Sequence, residues 1–226
     1  EYLSAYVKTY LREEIAAEQL VRRLQPFHKF LEVSGQMNGK ILNYSKIARD
    51  IDSDPTSVKN YFDILEDTHI GFCLPHYHKS LRKRQRQAPK FYFFDLGVTR
   101  CIRQELDMAV KPGTYLFGDC FEHFIIAEVA RLINYFAKEW HLSYLKTQDN
   151  AEIDLIIERS NDPDILVEIK SKSDINPEDL ITLRRFKVDD PSLQVECWSN
   201  TRQSAVIQGV VCKYWQTAIR ELFGNP

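Results

Sequence analysis

Apolar residues recur every three or four positions from Glu1 to about Gln36, a helical spacing that Pro26 divides into two predicted helices. Two shorter periods follow. Tyr44, Ile47, Ala48 and Ile51 share one face, and Val58, Tyr61, Phe62 and Leu65 share another. Between them, Asp52-Ser53-Asp54 supplies an N-cap and Pro55 falls at the first helical position, where its missing N–H costs nothing. This is the pattern of a helix-turn-helix. After Gly71 the period shortens to extended runs, Phe72 to Tyr77 and Lys90 to Phe94. They enclose Lys79, Arg82, Lys83, Arg84, Arg86 and Lys90 with no acid among them, the layout of a winged helix with a basic wing.

The pattern changes again at Lys111-Pro112-Gly113, which places a boundary between residues 1–110 and 111–226. A long helix is predicted where Phe117, Phe121, Phe124, Ile125, Val129, Leu132, Ile133 and Phe136 form a broad apolar stripe. Strand-like runs follow at Leu142 to Lys146, Ile153 to Glu158 and Ile165 to Lys172. Next come a helix from Pro177 to about Phe186, strands at Gln194 to Trp198 and near Val210 to Cys212, and a closing helix from Tyr214 to Phe223. Helix, three strands, helix, strand is an α/β (α+β) order.

Composition narrows the classes. With 44% hydrophobic residues in 226, dominant disorder is excluded. The net charge of −2 hides an asymmetry: residues 1–110 carry 17 basic and 14 acidic side chains, residues 111–226 carry 13 and 18. Five cysteines with no CxxC pair argue against a disulfide framework and read as reduced thiols. No apolar run approaches the roughly 20 residues a bilayer requires, and no signal peptide is recognisable. The expectation is a cytoplasmic protein with no membrane partner. The chain starts at Glu1 inside a helical pattern, which suggests a piece of a longer protein. A GxxxxGK[ST] loop is absent, so these residues are not expected to bind ATP.

The chemistry-bearing residues lie in Glu152-Ile-Asp154-Leu-Ile-Ile-Glu158 and Ile165-Leu-Val-Glu168-Ile-Lys170-Ser-Lys172. Alternation along a strand gives each run one apolar face and one face carrying acids. Arg159 to Pro163 reads as the turn of an antiparallel hairpin. If Glu158 pairs with Asp164, Asp154 falls opposite Glu168, with Cβ atoms roughly 4.5–5.5 Å apart. Two carboxylates so close repel one another, and a hard divalent ion such as Mg²⁺ or Mn²⁺ fits between them. Lys170, on the same face, projects beside that ion, where it can position or deprotonate a water.

Asp154 and Glu168-Ile-Lys170, preceded by Glu122 on a predicted helix, resemble the PD-(D/E)xK nuclease core, a restriction-endonuclease-like fold of order α-β-β-β-α-β. The longer string resembles something narrower. The Tyr-rich opening helix, the winged helix, Phe91-Tyr-Phe-Phe-Asp95-Leu-Gly97, Gly118-Asp-Cys-Phe-Glu122 and the strand pair are similar to the region downstream of the ATPase core in a group of prokaryotic AAA+-type ATPases. This resemblance implies an ATPase domain N-terminal to these residues as a partner in the same chain. The nuclease resemblance implies metal ligands Asp154, Glu168, the carbonyl of Ile169 and a supporting Glu122, with Lys170 orienting the attacking water. No Pro precedes Asp154, which departs from the nuclease signature and leaves the ligand set intact.

Two readings stay open. In the first, Lys59, Asn60 and the basic run (Arg82, Lys83, Arg84, Arg86) contact DNA, and Asp154, Glu168 and Lys170 hydrolyse phosphodiesters. In the second, the chain is a non-catalytic arm of the ATPase that binds DNA or protein, and its acid cluster is structural. Charged alternation is also what any half-exposed strand shows.

Overall fold

The computed structural model describes residues 2–10, 24–78 and 87–224. The chain divides into two compact units, Glu1–Cys73 with Ala88–Ala109 and Leu74–Gln87 with Val110–Pro226. The basic residues Arg82, Lys83, Arg84 and Arg86 lie outside the described residues. Among those described, no helix is long and apolar enough to cross a membrane.

The first unit opens with a short helix α1 (Tyr2–Ala5), which continues as a π-helical turn, Tyr6–Tyr10. Helix α2 (Leu24–Met37) follows. Pro26, the predicted divide between two helices, lies near the start of this element, and residues 11–23 before it lie outside the described residues. Helices α3 (Tyr44–Asp50) and α4 (Pro55–Asp67) form the expected pair. Asn43 caps α3 by accepting from the Lys46 N–H, and Asp54 caps α4 by accepting from the Ser57 N–H, with Pro55 at the first helical position. In the turn, Asp52 adopts a left-handed φ of 53° and accepts a hydrogen bond from the Lys29 ammonium.

Strands β1 (Gly71–Leu74) and β2 (Lys90–Phe93) make a two-stranded sheet beside these helices. Helix α5 (Leu96–Ile102) follows, capped by Asp95 through the Val98 N–H. The Phe91 to Gly97 stretch therefore holds a strand and the start of a helix. Aromatic edges fill the core, with Phe62 packed against Phe30, Phe91 and Tyr44. Gly71 is required by its neighbours, because a Cβ there would stand 2.2 Å from the Phe91 ring and 2.7 Å from the Tyr92 carbonyl oxygen.

The second unit is built on a six-stranded mixed sheet. Helix α6 (Tyr115–Tyr135) is capped by Thr114 and precedes β3 (Trp140–Lys146), β4 (Glu152–Arg159) and β5 (Ile165–Lys170). A 3₁₀ turn, Pro177–Leu180, leads into α7 (Ile181–Asp189), then β6 (Gln194–Ser199), β7 (Ala205–Ile207), β8 (Val210–Tyr214) and α8 (Trp215–Phe223). The sheet order is β3-β4-β5-β6-β8-β7, with β5–β6 and β6–β8 parallel and the other neighbours antiparallel. The molecule is thus a mixed α+β protein. β7 is not among the predicted strands; it is three residues long, mostly exposed, and apolar throughout, too short to show an alternation.

The extended run expected from Phe72 to Tyr77 is divided. Its first part is β1, whereas Pro75 to Tyr77 lies along the edge of β3, with the Tyr144 N–H donating to Pro75 O at 2.9 Å and the Tyr77 N–H donating to Tyr144 O at 2.6 Å. A register shift between Ser143 and Leu145 marks the same position on β3. The edge of the larger sheet is covered there by its own chain.

Gly71→Ala is expected to lower stability by about 2–3 kcal/mol, since the added methyl meets backbone that cannot yield. A urea unfolding midpoint within error of wild type would show that this packing is unimportant.

Candidate functional site

The sequence brings two acids together through one local choice, the hairpin register. Leu155 pairs with Val167, Ile156 with Leu166 and Ile157 with Ile165. Continued by one step, that register sets Asp154 against Glu168. The apolar partners explain why no other register competes: a one-residue slip would turn Ile156 and Leu166, both buried, to the opposite face. The Asp154 carboxylate reaches across and accepts a hydrogen bond from the Ile169 N–H at 2.8 Å. Ile169, expected to offer its carbonyl, thus also fixes the orientation of Asp154 through its amide.

Glu168 is only 8% exposed. Its Oε1 accepts from the Lys170 ammonium at 2.6 Å, and its Oε2 is buried with no hydrogen-bond partner among the described residues. Such an oxygen is costly to keep charged. Burial is the main reason that the Glu168 carboxyl is pushed up to about 8 from its ordinary 4.5. The negative charge of Asp154 adds to the rise and Glu122 contributes further, while Lys170 opposes it. Burial by itself would lower the Lys170 ammonium, but Glu168, Asp154 and Asp179 outweigh it and hold its pKa above the ordinary value. Asp179 accepts from the Lys172 ammonium at 2.6 Å and from the Asn176 N–H at 2.8 Å.

Helix α6 supplies Glu122. Its first turn runs close to the end of β5, where a Cβ on Gly118 would sit 3.7 Å from the Ser171 hydroxyl oxygen, in ordinary contact. Glu122, one turn farther on, is half-buried and within electrostatic reach of Glu168. Asp154, Glu168, Lys170 and Glu122 therefore come together.

Of the residues assigned to nucleic acid, Lys59 and Asn60 are among those described. Lys59 is in an ion pair with Asp63 at 2.7 Å, one turn along α4, and Asn60 is exposed beside it. His76 bonds through Nε2 to the Lys146 backbone, an edge contact.

A hard divalent cation fits the chemistry of this donor set, since the acids offer oxygens and the Glu168 Oε2 lacks a partner. The cage is not preformed. Among the described residues, no group of three or more His, Cys, Asp or Glu side chains is arranged to hold a metal ion. The parallel pairing of β5 with β6 adds a feature that alternation could not reveal. Cys197 lies beside Glu168 and Cys212 beside Cys197, both buried. All five cysteines are free, and the Cys212 contact and burial push the Cys197 thiol far up, so it is a poor nucleophile. Asp179, which tunes Lys170, was also invisible to strand alternation because it enters from a separate turn.

The raised Glu168 pKa ties stability to pH. Below about 4.5 the carboxyl is protonated folded or unfolded; between that value and about 8 the folded chain keeps a proton that the unfolded chain releases. Stability in metal-free buffer is therefore expected to fall as pH rises through this window. Glu168→Gln should flatten the slope and stabilise the protein by about 1–3 kcal/mol above pH 8. Urea unfolding across the window tests this, and parallel curves for the two proteins would contradict it.

Comparison with known proteins divides the chain similarly. Residues 1–107 match a family described as a domain of unknown function (DUF8612), and residues 117–215 match a second, DUF4143. The chain is similar to uncharacterized proteins Mb2031c of Mycobacterium bovis and Rv2008c of Mycobacterium tuberculosis, each 25% identical over 158 residues. The match takes in 70% of this chain and 35% of each relative, so the chain spans about a third of the length of the curated relatives it matches. No solved structure matches it.

Proposed function

We propose that the chain is the C-terminal portion of an AAA+-type ATPase, in which a winged helix (residues 1–110) docks on DNA and a PD-(D/E)xK-like domain (residues 111–226) hydrolyses phosphodiester bonds. The observation that supports this reading best is the meeting of Glu122, Asp154, Glu168 and Lys170 at one end of the β4–β5 hairpin, with a buried carboxylate oxygen left without a partner.

Asp154 and Glu168, with the Ile169 carbonyl, would hold Mg²⁺ or Mn²⁺, and Glu122 adds negative charge behind them. An ion held there would lower the pKa of water and offset charge on the phosphoryl oxygens. The Ile169 amide keeps the Asp154 carboxylate turned toward the site. Lys170 orients the attacking water, and its ammonium can also face the phosphate. Nucleotide hydrolysis is assigned to a part of the protein outside these residues. The relatives extend well beyond the matched residues, which leaves room for such a part.

A second reading, a non-catalytic arm that binds protein, draws on the surface of the helix pair. Over residues 44–67, Lys46, Arg49 and Lys59 face six acids: Asp50, Asp52, Asp54, Asp63, Glu66 and Asp67. An acidic helix pair repels a phosphate backbone and attracts a basic protein surface.

Lys170→Ala is expected to reduce cleavage of duplex DNA in Mg²⁺ by at least about 10²-fold while DNA binding persists. Equal, nonzero rates for the two proteins would remove Lys170 from the chemistry, and an uncleaved substrate with wild type in either metal would favour the non-catalytic arm. Titration of duplex DNA at about 50 and 200 mM salt separates the docking modes: a phosphate-contacting winged helix loses affinity steeply between them. No binding at the lower salt concentration would support protein docking.

A further inference from the structure

We propose that Lys170 is the chain's own stand-in for the divalent ion: its ammonium neutralises the Glu168–Asp154 pair in the metal-free protein, and a metal ion enters only by displacing it. The inference rests on the metal-dependent reading above and deepens it by assigning how the site is controlled.

Lys170 and Glu168 are two residues apart on one strand and so share a face, which lets the ammonium fold back onto Glu168 Oε1 at 2.6 Å. Among the described residues Glu168 has no other donor: its second oxygen is buried and unpartnered. The negative charges of Asp154 and Asp179 also act on Lys170 and strengthen the hold of this acid cluster on its ammonium. A divalent ion on Glu168 and Asp154 would face the ammonium at close range, and like charges in a poorly hydrated site repel strongly. The two cations exclude one another.

Displacement has a destination. Lys170 is about one-third exposed, so its stem can turn toward solvent. Asp179 sustains a negative field there while held by Lys172 and the Asn176 N–H. Released from Glu168, the ammonium becomes available to a water or a phosphate at the same point. Metal entry and deployment of the lysine are then one event, and the acids stay compensated before the ion arrives.

Calorimetric titration of the full chain with Mg²⁺ alone, at about pH 8.5, tests the exclusion. Lys170→Met is expected to bind Mg²⁺ at least about tenfold more tightly than wild type, because no ammonium has to leave. Asp154→Asn should weaken binding in both backgrounds. Lys170→Gln, which keeps a polar end, serves as the second variant should the methionine protein fail to fold by circular dichroism, and it is expected to shift affinity in the same direction. Equal or weaker binding by the folded variants would overturn the stand-in role and leave the metal site standing. Absence of Mg²⁺ binding by wild type and variants alike would overturn the metal-dependent reading and this inference with it.

Discussion

Two carboxylates share one face of a hairpin whose other face is packed apolar core, and every property of the candidate site descends from that constraint. Ile165, Val167, Leu155 and Ile157 are buried, and their burial holds β4 and β5 in a single register. Asp154 and Glu168 are brought together as a by-product. Close negative charges inside a protein are unfavourable unless compensated, and the compensation here is partial. The Ile169 amide serves Asp154, the Lys170 ammonium serves one oxygen of Glu168, and the other oxygen of Glu168 is unserved. A fold built only for stability would place an apolar residue at position 168. Strain of this kind is characteristic of functional sites.

The electrostatics differ on the helix pair of the first unit. Its buried side is aromatic and apolar, with Phe27, Phe30, Tyr61, Phe62 and Phe91 in edge contacts. Its outer side carries twice as many acids as bases, and one of its three bases, Lys59, is paired with Asp63. A helix pair of this shape can dock on DNA or on protein, and its geometry alone does not choose. Charge discriminates between the two, and the charge of the helices and that of the basic run from Lys79 to Lys90 have opposite signs.

Much of this was legible locally. Asp54 and Pro55 announced the start of α4, because capping and the missing proline N–H act within a single turn. The spacing of Asp154, Glu168 and Lys170, with the short Arg159 to Pro163 turn, was enough to give the hairpin register. Other features depended on distant parts of the chain. Pro75 to Tyr77 continued β1 in pattern, yet it pairs with Tyr144, nearly seventy residues away. β7 and α5 were too short to show a period.

Residue order by itself determined which side chains share a face, since strand alternation and helical spacing are properties of neighbouring backbone angles. Tertiary packing decided what that sharing means. The parallel pairing of β5 with β6 brought Cys197 beside Glu168, the turn before α7 brought Asp179 toward Lys170, and α6 brought Glu122 within reach. Those contacts set how much water each carboxylate retains. Desolvation is the sum of everything packed around a group, so no reading of one strand could show that Glu168 would be buried with an oxygen unpaired.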